Sequence, residues 1–304
     1  MRWRKLGRIF TAAGQRPWMQ THCSMPFGEP LDDRRLRVWF SPRDEANRSH
    51  TAWLEIDIED PARVLDLAAE PVLAPGAVGA FDDCGAMPSW ILRHGAERLL
   101  YYIGWNVPTT VPFRNAIGMA TDDGRGGTAF RRAVAGPVLD RGPHDPHFVA
   151  TPCVLTEGQS WHMWYLSGTG WTGEPPAAHY NIRYATSVDG IHWDARGLVC
   201  IDRQHRDEIA IARPSVLRDG DLWRMWFCCR GTNFPYRLGY AESEDGLSWR
   251  RRDRLAGLRA GGTGWDSKMI AYPHVFDMGG TRYMLYAGDG FGREGMGLAV
   301  LDGR

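Results

Sequence analysis

A proline that returns at nearly constant intervals restricts this chain more than any other feature. Pro26, Pro88, Pro152, Pro214 and Pro273 are separated by steps of 62, 64, 62 and 59 residues. Each is followed after 13 or 14 residues by an aromatic, in turn Trp39, Tyr102, Tyr165, Phe227 and Tyr286, and farther on by a small residue, Ala52, Ala120, Ala185, Ala241 and Ala299. Short apolar segments bounded by Gly, Asp and Asn run between these markers, the pattern of strands and tight turns. The fourth unit is the clearest: a strand from Glu208 through Pro214, an aromatic strand at 222–227, and a third strand at 238–243 closing on Asp245-Gly246. One four-stranded sheet cannot bury both of its faces, so such a unit must stack on its neighbours. The expected fold is all-β, a five-bladed β-propeller with about four antiparallel strands per blade.

The blades fall near 20–69, 80–135, 145–197, 207–252 and 265–302, in a single domain over 1–304, with residues 1–19 supplying a strand that closes the ring. The proline suits a channel-lining strand with an unpaired edge, where a missing N–H costs little. Lys plus Arg and Asp plus Glu both number 36, so there is no electrostatic case for nucleic acid or an anionic membrane as partner. No run reaches membrane-spanning length and the basic start lacks an apolar signal-peptide core, so a cytoplasmic protein is expected. Cysteines 23, 84, 153, 200, 228 and 229 form no C-x-x-C pair and read as buried packing, not as disulfides or a zinc site. Residues 187–193 (SVDGIHW) and 243–249 (SEDGLSW) look catalytic but read as structure: an Asp-Gly turn, Ser and Asp capping backbone groups, and Trp packing between sheets.

In a propeller the starts of the first strands and the loops between second and third strands lie on one face. Both sets carry unusual residues here. At the strand starts stand His22, Asp82, Asp83, His147, Glu208, Asp266 and Lys268; the loops are 43–50, 105–115 with Trp105, 171–179 with Trp171, 230–237 with Arg230, Phe234, Tyr236 and Arg237, and 289–294. Carboxylates beside aromatic platforms and guanidinium groups suit a polyhydroxylated ligand, whose apolar faces stack while its hydroxyls need fixed partners. The expected ligand is a small sugar or glycoside-containing molecule. Glu208 is the expected general acid, and Asp83 or Asp82 the base, nucleophile or charge stabiliser. His147, His22 and Lys268 position substrate or tune those acids, and Arg213, Arg230 and Arg237 hold an anionic group.

Residues 213–216 (RPSV), 224–226 (RMW), 239–246 (GYAESEDG) and 264–267 (GWDS) carry a resemblance to the five-bladed glycoside hydrolase propellers of the invertase, levansucrase and arabinanase kind, over roughly 20–302. The resemblance implies that fold and carbohydrate chemistry. It also implies a catalytic Asp or Glu one or two residues before the marker proline in three blades. The pairs at those positions are Ser24-Met25, Ala86-Met87, Ala150-Thr151, Ala212-Arg213 and Ala271-Tyr272, with no carboxylate in any of them. Asp145-Pro146 is the one Asp-Pro near this register, and the other acids have moved toward the strand starts. No cofactor is expected on the leading reading. A second reading, a metal-assisted hydrolase or lyase, binds a divalent metal on the propeller axis through His22, Asp83, His147 and Glu208. A third is a sugar-binding propeller without catalysis.

Overall fold

A computed structural model describes residues 1–122, 124 and 126–303 of the chain. Among the described residues, twenty strands account for almost all of the regular structure. The first, β1 (Trp3–Phe10), is followed by β2 (Thr21–Pro30), β3 (Arg35–Arg43), β4 (Ala52–Asp57) and β5 (Asp60–Leu67), of which β2 to β5 form one antiparallel sheet in chain order. A second such sheet is β6 (Gly85–His94), β7 (Glu97–Asn106), β8 (Arg114–Thr121) and β9 (Arg131–Arg132). The third unit is β10 (Val149–Glu157), β11 (Ser160–Thr172), β12 (Ala177–Ser187) and β13 (Asp194–Ile201), and the fourth is β14 (Glu208–Asp219), β15 (Leu222–Gly231), β16 (Arg237–Ser243) and β17 (Arg250–Arg251). A single parallel bridge, Tyr180 to Ala210, joins these two into an eight-stranded sheet. The fifth contains β18 (Ala271–Met278), β19 (Thr281–Ala287) and β20 (Met296–Leu301), completed by β1 antiparallel to β20. These four-stranded antiparallel units resemble propeller blades. No helix among the described residues is long and apolar enough to cross a membrane.

The sequence markers have distinct physical duties. Every marker proline lies in the first strand of its unit, at a register shift in the pairing with the second strand. The marker aromatics on β3, β7, β11, β15 and β19 are fully buried, and so are the small residues on the strands beside them, where a larger side chain would meet the packed rings. The residue before the proline is normally extended. Yet Met25, Thr151, Arg213 and Tyr272 have φ of 56°, 46°, 58° and 56°, the left-handed region that non-glycine residues occupy only when their surroundings impose it.

The residue after the proline joins one unit to the next. Ser89 Oγ donates to Pro152 O (3.0 Å), Cys153 Sγ accepts from Val216 N (3.4 Å), Ser215 Oγ from Val275 N (2.9 Å), and His274 Nδ1 from Gly28 N (3.0 Å). At the remaining seam Phe27 packs edge-on against Trp90, and Thr51 Oγ1 donates to Ala86 O. The first strands accordingly touch in a cycle, β2 to β6 to β10 to β14 to β18 and back to β2. The two S-x-D-G-x-x-W turns add outer latches. Asp189 and Asp245 each accept two following backbone N–H groups, and the Gly190 and Gly246 carbonyls accept from Tyr101 and Trp164 of the preceding unit.

Because β1 is the outer strand of the fifth unit and buries Trp3 and Ile9, deleting residues 1–12 leaves β20 as a bare edge. The truncated chain is expected to melt roughly 10 °C or more below the full chain and to associate in solution, checked by calorimetry and light scattering.

Candidate functional site

The five first strands converge on a cavity of about 360 Å³, within the range of about 300–1,000 Å³ typical of small-molecule sites. Every unit contributes to it. Its floor is made by Ser24, Met25, Met87, Ala150, Thr151, Ala212 and Tyr272, seven of the ten residues one and two places before the marker prolines. Higher up stand Arg43 and Asn47 from the first unit, Trp105, Phe113 and Asn115 from the second, Phe148 and Tyr180 from the third, Arg230 and Tyr236 from the fourth, and Phe291 from the fifth. Among the described residues no Asp or Glu lines it.

Two cations line it, Arg43 from the first unit and Arg230 from the fourth. Arg43 is held by Asn47 Oδ1 (2.8 Å) and lies over the Trp105 ring, and burial depresses its pKa. Arg230 lies over the rings of Tyr180 and Tyr236, whose hydroxyls are hydrogen-bonded to each other. Burial would lower Arg230, but the two phenols outweigh it and raise its pKa. Burial pushes the Tyr236 and Tyr272 phenols far above their ordinary value, so both keep their protons. The indole N–H of Trp105 has no partner among the described residues.

Of the fourteen residues singled out in the sequence, Trp105, Arg230 and Tyr236 line this cavity. Two more adjoin it. His22 is buried beside Thr21 Oγ1 (2.8 Å), and burial, then Arg43 and Arg293, push its imidazole down to about 4. Arg213 is wholly buried where the first strands meet; it donates to Ser89 O (2.7 Å), Ser89 Oγ (2.9 Å) and Pro26 O (3.3 Å), linking the fourth unit to the second and the first. Burial lowers its pKa to about 10. Trp171 packs against Phe113 and Phe148 and supports the wall from behind.

The acids lie elsewhere, and a repeated device holds them. In four units an acid stands 19 or 20 residues before the marker aromatic and pairs with a cation that in three of the units also covers the ring. Asp82 accepts from Tyr102 (3.1 Å) and Arg132 (2.8 Å), and Asp145 from Tyr165 (2.9 Å) and Arg183 (3.4 Å). Asp266 accepts from Tyr286 (3.2 Å) and Lys5 (2.5 Å). Where the tyrosine is replaced by Phe227, the acid is the longer Glu208, and both of its oxygens reach Arg251 (2.8 and 2.9 Å). Burial alone would raise the Glu208 carboxyl, but Arg251 and the Gln204 N–H outweigh it and hold it below the usual carboxylate range. A general acid needs the opposite shift.

The other candidates also lie outside the cavity lining. Asp83 accepts from Gly79 N (2.9 Å), His147 is half-buried, Lys268 is exposed, and Arg237 covers the face of Phe234 at 4.0 Å. Among the described residues, His22, Asp83, His147 and Glu208 do not form a group within metal-ligating reach of one another, as the axial metal reading requires. Among the described residues the one cluster with metal-ligating reach is Glu208, Cys229 and Asp253, and the Arg251 guanidinium already bonds both of its carboxylates. Sequence reasoning placed Arg43 in a loop of the same face without assigning it a role, and passed over Tyr180, Tyr272 and the pre-proline floor as binding groups; the left-handed pre-proline backbone that turns several of these side chains inward has no signature in composition.

No protein-family model matches the chain. Two proteins of Mycobacterium tuberculosis are similar to it over almost its whole length: "Uncharacterized protein MT1551" of strain CDC 1551 / Oshkosh and "Uncharacterized protein Rv1502" of strain ATCC 25618 / H37Rv. Each is 45% identical over 302 residues, which cover 99% of this chain and 100% of the relative. The chain belongs to their family. Solved structures share the fold at much lower identity. One is described as a "Glycoside hydrolase" (TM-score 0.74, 14% identity, 99% of this chain and 93% of that one). Another is the catalytic domain of Coprinopsis cinerea GH62 alpha-L-arabinofuranosidase (TM-score 0.67, 13% identity, 98% and 96%). A third is a thermostable family-43 glycoside hydrolase (TM-score 0.62, 14% identity, 92% and 89%).

Glu208→Gln is expected to destabilise the fold by roughly 3 kcal/mol, since it breaks a buried ion pair, while leaving ligand binding in the cavity unchanged. The folded-state carboxyl lies below its unfolded value of about 4.3. Its contribution is therefore present above that pH and lost as the pH falls through the folded value, so urea midpoints of variant and wild type should converge in acid. His22 is expected to stay neutral through pH 5 in an NMR titration. Its folded value lies below the unfolded one of about 6.5, so it withdraws stability as the pH falls from there toward 4, a loss that His22→Gln should remove.

Proposed function

We propose that this chain is a single closed five-bladed β-propeller whose central cavity binds a sugar-type small molecule, as a carbohydrate-active protein does. The observation that carries this reading is the cavity floor. It is built from the positions just before the marker prolines, where the invertase, levansucrase and arabinanase propellers keep their catalytic groups. Rings of Trp105, Phe113, Tyr236 and Tyr272 offer stacking surfaces for sugar faces, and Asn47, Asn115 and Thr151 offer fixed partners for hydroxyls. The fold shared with structures named as glycoside hydrolases supports the same class of ligand.

Hydrolysis by paired carboxylates needs two acids flanking the scissile bond. The floor instead carries Ser24, Met25, Met87, Ala150, Thr151, Ala212 and Tyr272, and the acids of four units are engaged by cations of their own sheets. A second reading, recognition of the sugar without that reaction, is favoured by this floor. Native mass spectrometry of the protein with a mixture of neutral and acidic oligosaccharides, followed by product analysis over hours, separates processing from binding. Trp105→Ala is expected to weaken the captured ligand about tenfold, the effect of losing one stacked aromatic. Affinity unchanged in that variant removes the cavity from consideration as the sugar site.

A further inference from the structure

We propose that the ligand of this cavity carries an acidic group, a carboxylate or a phosphate, bound between Arg43 and Arg230; the inference rests on the sugar-site reading and deepens it. The chain as a whole has no net charge, with 36 basic and 36 acidic residues, and it pairs its buried cations with care elsewhere. Arg98 bonds Glu29 and Asp122, Arg251 bonds Glu208 and Asp253, and Arg282 bonds Asp219 and Asp277. Around the cavity the rule is reversed. Arg43, Arg230 and Arg213 pair with no carboxylate among the described residues, although the first two line the cavity and the third is fully buried. Removing cations from water without a counter-charge is costly, and a cavity lined by two half-buried guanidinium groups, with a third fully buried beside it, is prepared for an anion from outside.

The remaining polar groups agree in kind. The Trp105 indole N–H is an unpartnered donor, the Tyr236 and Tyr272 phenols keep their protons, and Thr151 Oγ1 accepts the Arg213 N–H, which leaves its own hydroxyl proton to donate. His22 is held neutral by burial and the same positive field, so it adds no charge beside the ligand. The cavity is rich in donors and has no carboxylate acceptor among the described residues. Carboxylate and phosphate are acceptor-only groups whose charge-assisted hydrogen bonds to guanidinium are strong and geometrically defined. Because Arg43 and Arg230 come from the first and fourth units, such a group binds side chains that meet only in the folded protein.

The test is calorimetric titration of the full-length protein with four probes: glucose, glucuronate, glucose 1-phosphate and inorganic phosphate, at low and at physiological salt. R43Q and R230Q are compared with R196Q, a surface change outside the cavity, after all three are shown to melt as the wild type does. At least one acidic sugar is expected to bind tenfold or more tightly than glucose, with the tighter of the two identifying carboxylate or phosphate. That preference should fall at least tenfold in R43Q or R230Q, weaken with salt, and persist in R196Q. Equal affinity for glucose and both acidic sugars, or an acidic preference that neither cavity variant moves, overturns the inference and leaves the sugar site standing. Inorganic phosphate binding as tightly as glucose 1-phosphate keeps the anion pocket and overturns the sugar reading. Binding of none of the four overturns both.

Discussion

The structure depends on the bonding between first strands at the residue after each marker proline. A four-stranded sheet has two faces to bury and two edges to protect, and neither need is met within one unit. Ser89, Cys153, Ser215 and His274 each place a side chain against backbone of the next unit, with Phe27 and Trp90 packing at the seam that lacks this bond. Proline assists because it cannot donate in the ladder it interrupts, so the strand bulges there and frees the following residue for its neighbour. Arg213 ties the centre together from within, reaching Ser89 and Pro26 across the convergence of the first strands.

The same bulge creates the cavity. Four pre-proline residues are forced into left-handed backbone, and three of them, Met25, Thr151 and Tyr272, turn toward the shared space while Arg213 turns beneath it. Strain of this kind persists only where surrounding bonds over-determine it. Here the seam bonds on the adjacent residue offset it. Structural demand and site geometry thus come from one local feature repeated around the fold.

Electrostatics divides the molecule into two regions. Toward the outside, acids and cations are matched within sheets and across their seams, and Asp82, Asp145, Glu208 and Asp266 join the start of a first strand to the third or fourth strand of the same unit through Arg132, Arg183, Arg251 and Lys5. Around the cavity, guanidinium groups stand with phenols, amides and an imidazole kept neutral, and without carboxylates among the described residues. A neutral chain can therefore present a positive interior because the compensating charge is engaged in holding sheets together.

Periodicity alone determined the all-β character of this protein and the place of each marker. Proline interrupts a ladder, a large aromatic fills a sheet centre and alanine lets two sheets approach, and each effect is local enough to be written in the spacing of Pro214, Phe227 and Ala241. The two Asp-Gly turns were legible for the same reason, since their hydrogen bonds span only three residues. The fate of the acids was not. Glu208 and Arg251 are 43 residues apart, and Asp266 and Lys5 are 261 apart, so no window of sequence reveals that each carboxylate already has a cation. Tertiary structure alone decided that Arg43 and Tyr272 face one cavity and that Glu208 does not, because facing is set by which sheets meet and by a backbone torsion that residue type does not dictate.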